Sequence, residues 1–306
     1  INKFRGDPAL LEPGLAMLEE KTGIPVLGVV PYTRADIDDE DSLSPRLEET
    51  RVRRAVDIAV IRLPRISNFT DFSPLESHGA LGVRYADSAA ALGTPDLVIL
   101  PGTKSTMDDL LWLRQSGLEA AVLKLAAAGV PVLGICGGYQ MLGQTLSDPE
   151  GVERGGELRG MGLLPCKTVF SPQKTRTRIA AAVTAGPFAG VEIDGYEIHM
   201  GLTRRTEGIP FCRLETGQED GAAVGNVFGT YLHGLFDSGA LTERLAAWLL
   251  GRRGLSPSET AVESRLAYQE RQYDLLADAV RSSLDMTAVY KAMDRYARNG
   301  TGGMSP

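Results

Sequence analysis

Two spacings of apolar residues alternate along this chain. Short, largely apolar runs occupy Val26 to Val30, Ala55 to Leu63 with Arg62 near its exit, Leu97 to Leu100 and Val130 to Ile135. Each is too short for a free-standing helix and rich in β-branched residues, the pattern of strands buried on both faces of a parallel sheet. Helical spacing lies between them. Leu11, Leu15 and Leu18 mark a helix over Pro8 to Lys21, and a second is predicted from Thr106 to about Ala128, stopped by Gly129. Its Thr106-x-x-Asp109 start resembles a capping box. A third helix contains Tyr139 to Leu146.

Residues 157 to 232 change character: Gly, Thr and alternating positions predict several antiparallel strands finishing at Val227 to Leu232, so that His233 stands where the last strand stops. An amphipathic helix follows at Ala240 to Leu250, then one or two more between Ser258 and about Arg295, and a Gly-rich tail from Asn299 that is expected to be disordered. The acidic, irregular Asp36 to Glu49, with Ser44-Pro45, reads as a linker. Before it, a helix and a strand follow what looks like a strand already under way at Ile1 to Phe4, which suggests a fragment of a longer polypeptide. The expected class is α/β, with units at 1–50, 54–242 and 243–306.

Composition narrows the function. At 306 residues the chain exceeds one ordinary hydrophobic core, and 43% hydrophobic with 23% charged residues is the balance of a soluble globular protein. A net charge of -7 without a dense basic tract lacks the electrostatic footprint of a nucleic-acid or anionic-membrane binder, which favours small-molecule chemistry. No apolar run approaches the ~18 residues that span a bilayer, and no signal segment opens the chain, so a cytoplasmic location is expected. The three cysteines, Cys136, Cys166 and Cys212, contain no CxxC pair and read as free thiols rather than a disulfide framework or metal cluster.

The stretch richest in chemistry is Gly134-Ile135-Cys136-Gly137-Gly138-Tyr139-Gln140, set between a buried strand and a helix. A nucleophile at the apex of such a turn is forced outward, the flanking glycines let a substrate carbonyl approach, and backbone N–H groups at the helix start can receive an oxyanion. The alternative is a small thiol packed in a core. Pro101-Gly102-Thr103 ends the preceding strand and should open on the same crevice, beyond the carboxyl ends of the strands. Gly102 is therefore a candidate to donate its N–H beside that of Gly137, unless it serves only a backbone with positive φ. A thiol nucleophile needs a base, and three histidines exist. His233 and its rival His199 both sit at strand ends, while His78 lies in an irregular segment ahead of the elbow.

Leu-Pro-Gly-Thr-Lys-Ser at 100–105, Gly-Ile-Cys-Gly-Gly-Tyr-Gln-Met-Leu-Gly at 134–143 and Thr-Tyr-Leu-His-Gly-Leu-Phe at 230–236 resemble the class I glutamine amidotransferases of the cobyric acid and cobyrinic acid amide synthases. Asn2 to Asp7, Leu63 to Phe72 and Gly195 to Gly201 look like the cobyric acid synthase branch, the a,c-diamide synthases being the sister alternative. The resemblance covers about residues 1 to 240. It implies a flavodoxin-like, mostly parallel sheet flanked by helices with an antiparallel extension, preceded by the remnant of a dethiobiotin synthetase-like domain. It implies Cys136 as nucleophile and His233 as its base, with glutamine hydrolysed and the ammonia passed to side-chain carboxylates of an adenosylated cobyrinic acid a,c-diamide. ATP and Mg2+ are implied for the full-length enzyme and no cofactor for this chain, which lacks a G-x-x-x-x-G-K-[ST] phosphate loop. Asn2 and Lys3 border the nucleotide pocket in that picture, or serve structure alone.

The sequence departs from many class I enzymes at one place: the Glu two residues after the catalytic His is Leu235 here. Glu197 and Asp237 are candidates to orient the ring instead. Gln140 either shapes the glutamine pocket or packs. A missing third member also leaves open a non-catalytic docking module, an amidotransferase shape without its reaction.

Overall fold

Residues 1–33, 54–256 and 265–300 are described by the computed structural model of this chain, whose residues divide into two units. One comprises Ile1–Ile37 with Leu266–Pro306, the other Asp38–Arg265. The linker expected over Asp36 to Glu49 lies outside the described residues. In the first unit, helix α1 (Pro8–Thr22) starts where the Asp7 side chain accepts from the Ala9 N–H, and stops at Gly23, whose φ of 67° suits a residue without Cβ.

The second unit is built on the apolar runs. Strand β1 (Val56–Ile61) pairs in parallel with β2 (Leu81–Ala86) on one side and β3 (Leu97–Leu100) on the other. Between β1 and β2 lie a 3-10 turn, Phe69–Phe72, and the short helix α2 (Ser73–Ser77); α3 (Ala89–Leu92) leads from β2 to β3. After β3 the sequence predicts one helix from Thr106 to Ala128. Two form instead, α4 (Thr106–Gln115) and α5 (Leu118–Ala127), because Gly117 at φ 76° breaks the helical path. The capping box does not form either. Ser105 precedes α4 without a side-chain cap, and Asp109 is buried, accepting from the Thr103 hydroxyl and pairing with Arg65.

Strand β4 (Val132–Ile135) joins β3 in parallel and runs straight into α6 (Gly137–Leu142), which ends before β5 (Thr145–Asp148), a strand where the sequence suggests continued helix. Then come β6 (Gly156–Arg159), the long β7 (Cys166–Val183) and β8 (Glu192–Arg205), β9 (Cys212–Leu214), β10 (Glu219–Asp220), β11 (Ala222–Val224), β12 (Val227–Thr230) and β13 (Leu232–His233). The first sheet has the order β11-β12-β4-β3-β1-β2, parallel except at its β11 edge. The rest form a second, largely antiparallel sheet. In it β7 pairs with β8, and β8 in turn with β13. The expected antiparallel region is thus interrupted by β12, which inserts beside β4 in the parallel sheet. Helix α7 (Ala240–Arg252) buries Leu241, Leu245 and Leu249 against this unit and packs on β1 and β8.

The segment 243–306, read from sequence as one helical extension, is therefore divided between the units. Helices α8 (Arg265–Ser283) and α9 (Met286–Gly300) belong with residues 1–37, where the Asp285 N–H donates to Leu27 O. Val26 to Val30 is held there by single bridges rather than as a strand. Its neighbours are Ile1 to Phe4 and residues near Leu284, and the run is mostly half-buried rather than enclosed. Asn299 and Gly300, placed by sequence in the tail, close α9.

Candidate active site

Strands β3, β4 and β12 lie side by side in parallel, so their carboxyl ends open at one rim. Cys136 stands at that rim on the step from β4 to α6, with φ 52° and ψ -108°, one of three non-glycine residues with positive φ among those described. A residue with a Cβ holds such a conformation at a cost of order 1–3 kcal/mol, and does so where the surroundings over-determine it. Here they do. The Cys136 N–H donates to Thr230 O at 2.9 Å, its carbonyl accepts from Gln140 at 3.0 Å, and the Gly138 N–H donates to Pro101 O at 3.1 Å. A Cβ on Gly138 would sit 2.0 Å from Leu100 O, so the helix can cross the neighbouring strand end only with glycine there.

The turn after β3 meets this elbow. A Cβ on Gly137 would lie 2.7 Å from Thr103 Cγ2, which places Gly102, Thr103 and Gly137 together as expected. Gly102 does not have positive φ. It is glycine for space, because a Cβ there would stand 3.1 Å from His233 Cε1. Among the described residues no acceptor takes the N–H of Gly102, and Gly137, at the first position of its helix, has no helical acceptor four residues back. Both donors lie on the turns that border the elbow.

His233 arrives from the far side of the rim, carried by β13 against β8. Its Nδ1 donates to Asp71 Oδ2 at 2.6 Å, and the other carboxylate oxygen accepts from the Gly234 N–H at 3.1 Å. With Nδ1 so occupied, the second ring nitrogen is the one left to serve Cys136, which lies close enough to influence the ring. Burial alone would push this imidazole down. The charge and hydrogen bond of Asp71, joined by those of Cys136, outweigh burial and raise it to about 10. The sulfur lies also 3.6 Å from Ile198 O, on β8. It is therefore buried yet reached by a histidine, unlike Cys166 and Cys212, which are buried free thiols with pKa raised by desolvation.

The arrangement, a strained thiol with an imidazole and a carboxylate in line and two open amides beside it, lies wholly within residues 57–241. That stretch matches the CobB/CobQ-like glutamine amidotransferase domain. The chain belongs to this family. Cobyric acid synthase of Ruminiclostridium cellulolyticum is 49% identical over 313 residues, covering 98% of this chain and 61% of the relative. That of Lachnoclostridium phytofermentans is 45% identical, covering 96% and 62%. The chain thus spans about three fifths of the length of the curated relatives it matches. Among solved structures, PurLQS from Thermotoga maritima aligns with a TM-score of 0.48 at 20% identity, over 65% of this chain and 99% of that one.

Within this amidotransferase domain, the ring partner is Asp71, not either acid singled out from sequence. Tyr196 is the register partner of His233, so Glu197, the next residue along β8, faces the other way. Glu197 lines a separate cavity of about 390 Å³ with His199, Asp220 and Tyr231. Asp237 closes the turn behind His233, its N–H donating to Gly234 O. His199 is turned from the sulfur: its ring stacks on Tyr231 with 3.7 Å between centroids, and its Nδ1 meets Gly201 O at 3.0 Å. Gln140 is fully committed, accepting from the Thr106 hydroxyl at 2.9 Å and donating to the Tyr231 hydroxyl at 3.0 Å and to Met200 O at 3.3 Å. Leu235 is buried in the core. Asp71 is the sole carboxylate in the run Leu63 to Phe72, and that run was the available signal.

Proposed function

We propose that this chain hydrolyses glutamine to glutamate and ammonia at Cys136. The observation that carries the reading is the Asp71–His233–Cys136 line at the strained elbow. Asp71 favours the protonated imidazole, so that Cys136, giving its proton to His233, attacks the carboxamide carbon as its thiolate. The carbonyl oxygen takes the developing charge, and the N–H groups of Gly102 and Gly137 receive it. His233 then gives its proton to the nitrogen, the C–N bond breaks, ammonia leaves and a glutamyl thioester remains on Cys136. Water, losing a proton to the now neutral His233, attacks the thioester, and glutamate departs as the thiol is restored.

The larger activity rests on relatives that carry the name cobyric acid synthase. In this reading the ammonia amidates corrinoid carboxylates, those of an adenosylated cobyrinic acid a,c-diamide, in an ATP- and Mg2+-dependent ligase step. That step belongs to the part of the relatives' length that this chain does not span. Among the described residues no group of three or more His, Cys, Asp and Glu could hold a metal ion. No described helix is long and apolar enough to cross a membrane.

The docking-module alternative drew on the vacancy at Leu235, and Asp71 fills that vacancy from another element. A chloroketone analogue of glutamine tests the choice: stoichiometric alkylation of Cys136, mapped by mass spectrometry and blocked by glutamine, is the expected result. A folded chain that stays unlabelled at saturating reagent overturns the glutaminase reading.

A further inference from the structure

The imidazole of His233 is held by its face as well as by its edge. Tyr196, its register partner on β8, stacks on it with 5.3 Å between ring centroids and 20° between planes, an offset aromatic pair. The tyrosine is fixed in turn: its hydroxyl accepts from Asn68 Nδ2 at 2.7 Å. Asn68 precedes the turn Phe69–Phe72 in the left-handed region, φ 53° and ψ 36°, which asparagine tolerates better than other residues with a Cβ. Its carbonyl accepts the N–H of Asp71 at 3.0 Å. One short stretch, 68–72, thus supplies both the carboxylate at the ring edge and the anchor of the stacking phenol.

We infer that Asn68 and Tyr196 are positioning residues for His233, a second arm that sets the plane of the imidazole and favours its cationic form by offering an aromatic face. The inference rests on the glutaminase reading for its consequence in catalysis, though not for its geometry. An imidazole tied only at Nδ1 can still swing about that bond, and its free nitrogen must serve sulfur, leaving ammonia and water in turn. A stacked ring restricts that swing, and the electron-rich face attracts a cation. The phenol remains neutral while it does so, because burial and the nearby Asp71 charge raise its pKa to about 12. The titratable groups facing or influencing this pair are Asp71 from the turn, Cys136 from the elbow, His199 from β8 and Asp237 from the turn after β13.

The chain contains three histidines, so the ring signals of His233 can be followed by NMR without substrate in Tyr196→Phe, Tyr196→Leu and Asn68→Gly. Phe keeps the stack and loses the anchor, Leu loses both, and Gly keeps the left-handed backbone. The expected result is an imidazolium pKa lower in Tyr196→Leu by at least about half a unit, with kcat for glutamine down about tenfold or more and KM changed less than about threefold. Tyr196→Phe and Asn68→Gly should fall between wild type and Leu, and their combination should be no worse than the poorer single variant. A His233 titration in Tyr196→Leu that superimposes on wild type overturns the inference, as does a Phe variant as impaired as Leu. If the wild-type chain shows no glutaminase activity, the hydrolase reading fails while the titration still decides the role of Tyr196.

Discussion

Asp71 accepts the Nδ1 hydrogen of His233 across 162 residues of sequence, from a turn that contributes nothing to either sheet. Both side chains are buried, 5% and 1% exposed. A buried ion pair is weak evidence for stability, yet removing one partner strands the other, and such breaks cost about 3–5 kcal/mol. The pair is therefore better understood as the setting of the imidazole than as a strut of the fold.

For Asp71→Asn the expected loss is about 10²-fold or more in kcat, since the amide neither fixes the tautomer nor balances the imidazolium. Glu197→Gln, whose side chain faces the separate cavity, should stay within about threefold of wild type in the same glutaminase assay. Equal damage from the two changes would return the orienting role to an open question.

Stability should carry the same signature. The His233 pKa is raised from 6.5 to about 10, so the stabilisation linked to its proton is complete below about pH 6.5 and lost as pH rises toward about 10. Urea titrations of wild type and Asp71→Asn at pH 6.5 and pH 10 should therefore differ more at the lower pH. A gap that widens with rising pH contradicts this linkage.

The elbow makes a prediction of opposite sign for activity and stability. Cys136→Ala should lose glutamine hydrolysis and keep the fold. Cys136→Gly should lose it equally, while gaining up to about 1 kcal/mol, because glycine adopts φ 52° without the penalty borne by a Cβ. Thermal unfolding of the three proteins checks the order; a Gly variant less stable than the Ala variant would show that the thiol position carries no backbone strain.

How much of this was legible in the chain depends on how local the cause is. The elbow could be read because Gly134, Cys136 and Gly138 answer to one crossing of a strand by a helix, within a few residues. Strand-end context favours His233 over His199 only modestly and the family motif widens the gap; the structure separates them by place, His233 closing β13 and His199 lying inside β8 with its ring stacked on Tyr231. Asp71 could not be assigned. Its partner is fixed by the packing of a turn between β1 and α2 against β13, which no spacing encodes. The break at Gly117 has a local cause, a left-handed glycine inside a continuous helical pattern, whereas the capping box fails because Asp109 is drawn into a buried pair with Arg65, a tertiary partner that overrides the local pattern.

Gly102 offers the sharpest test of close approach. Its φ places no demand on glycine, so Gly102→Ala meets resistance only where the new Cβ meets His233 Cε1 at 3.1 Å and Ser67 Oγ at 3.2 Å. Either neighbour must yield by a few tenths of an ångström, and the imidazole is clamped by Asp71 and Tyr196. The expected outcome is kcat lowered about tenfold or more with stability changed by less than about 1 kcal/mol, since a small displacement at a reacting group is felt strongly in rate. Wild-type kcat in a folded Gly102→Ala chain would mean that His233 has room to move, and the oxyanion role of this turn would lose its geometric support.

Gln140 separates packing from pocket. Its amide ties Thr106 on α4, Met200 on β8 and Tyr231 behind the elbow. Gln140→Leu fills the same space and leaves those polar partners short of a hydrogen bond each, a change worth roughly 1–3 kcal/mol where the partner is buried. Chemical denaturation should register that loss. Because Met200 lies two residues from Ile198, whose carbonyl touches the sulfur, KM for glutamine should rise through displacement of β8, and the same two effects should appear together in Thr106→Val at smaller size. A Gln140→Leu chain of wild-type stability with a large rise in KM alone would instead assign the amide to the bound glutamine.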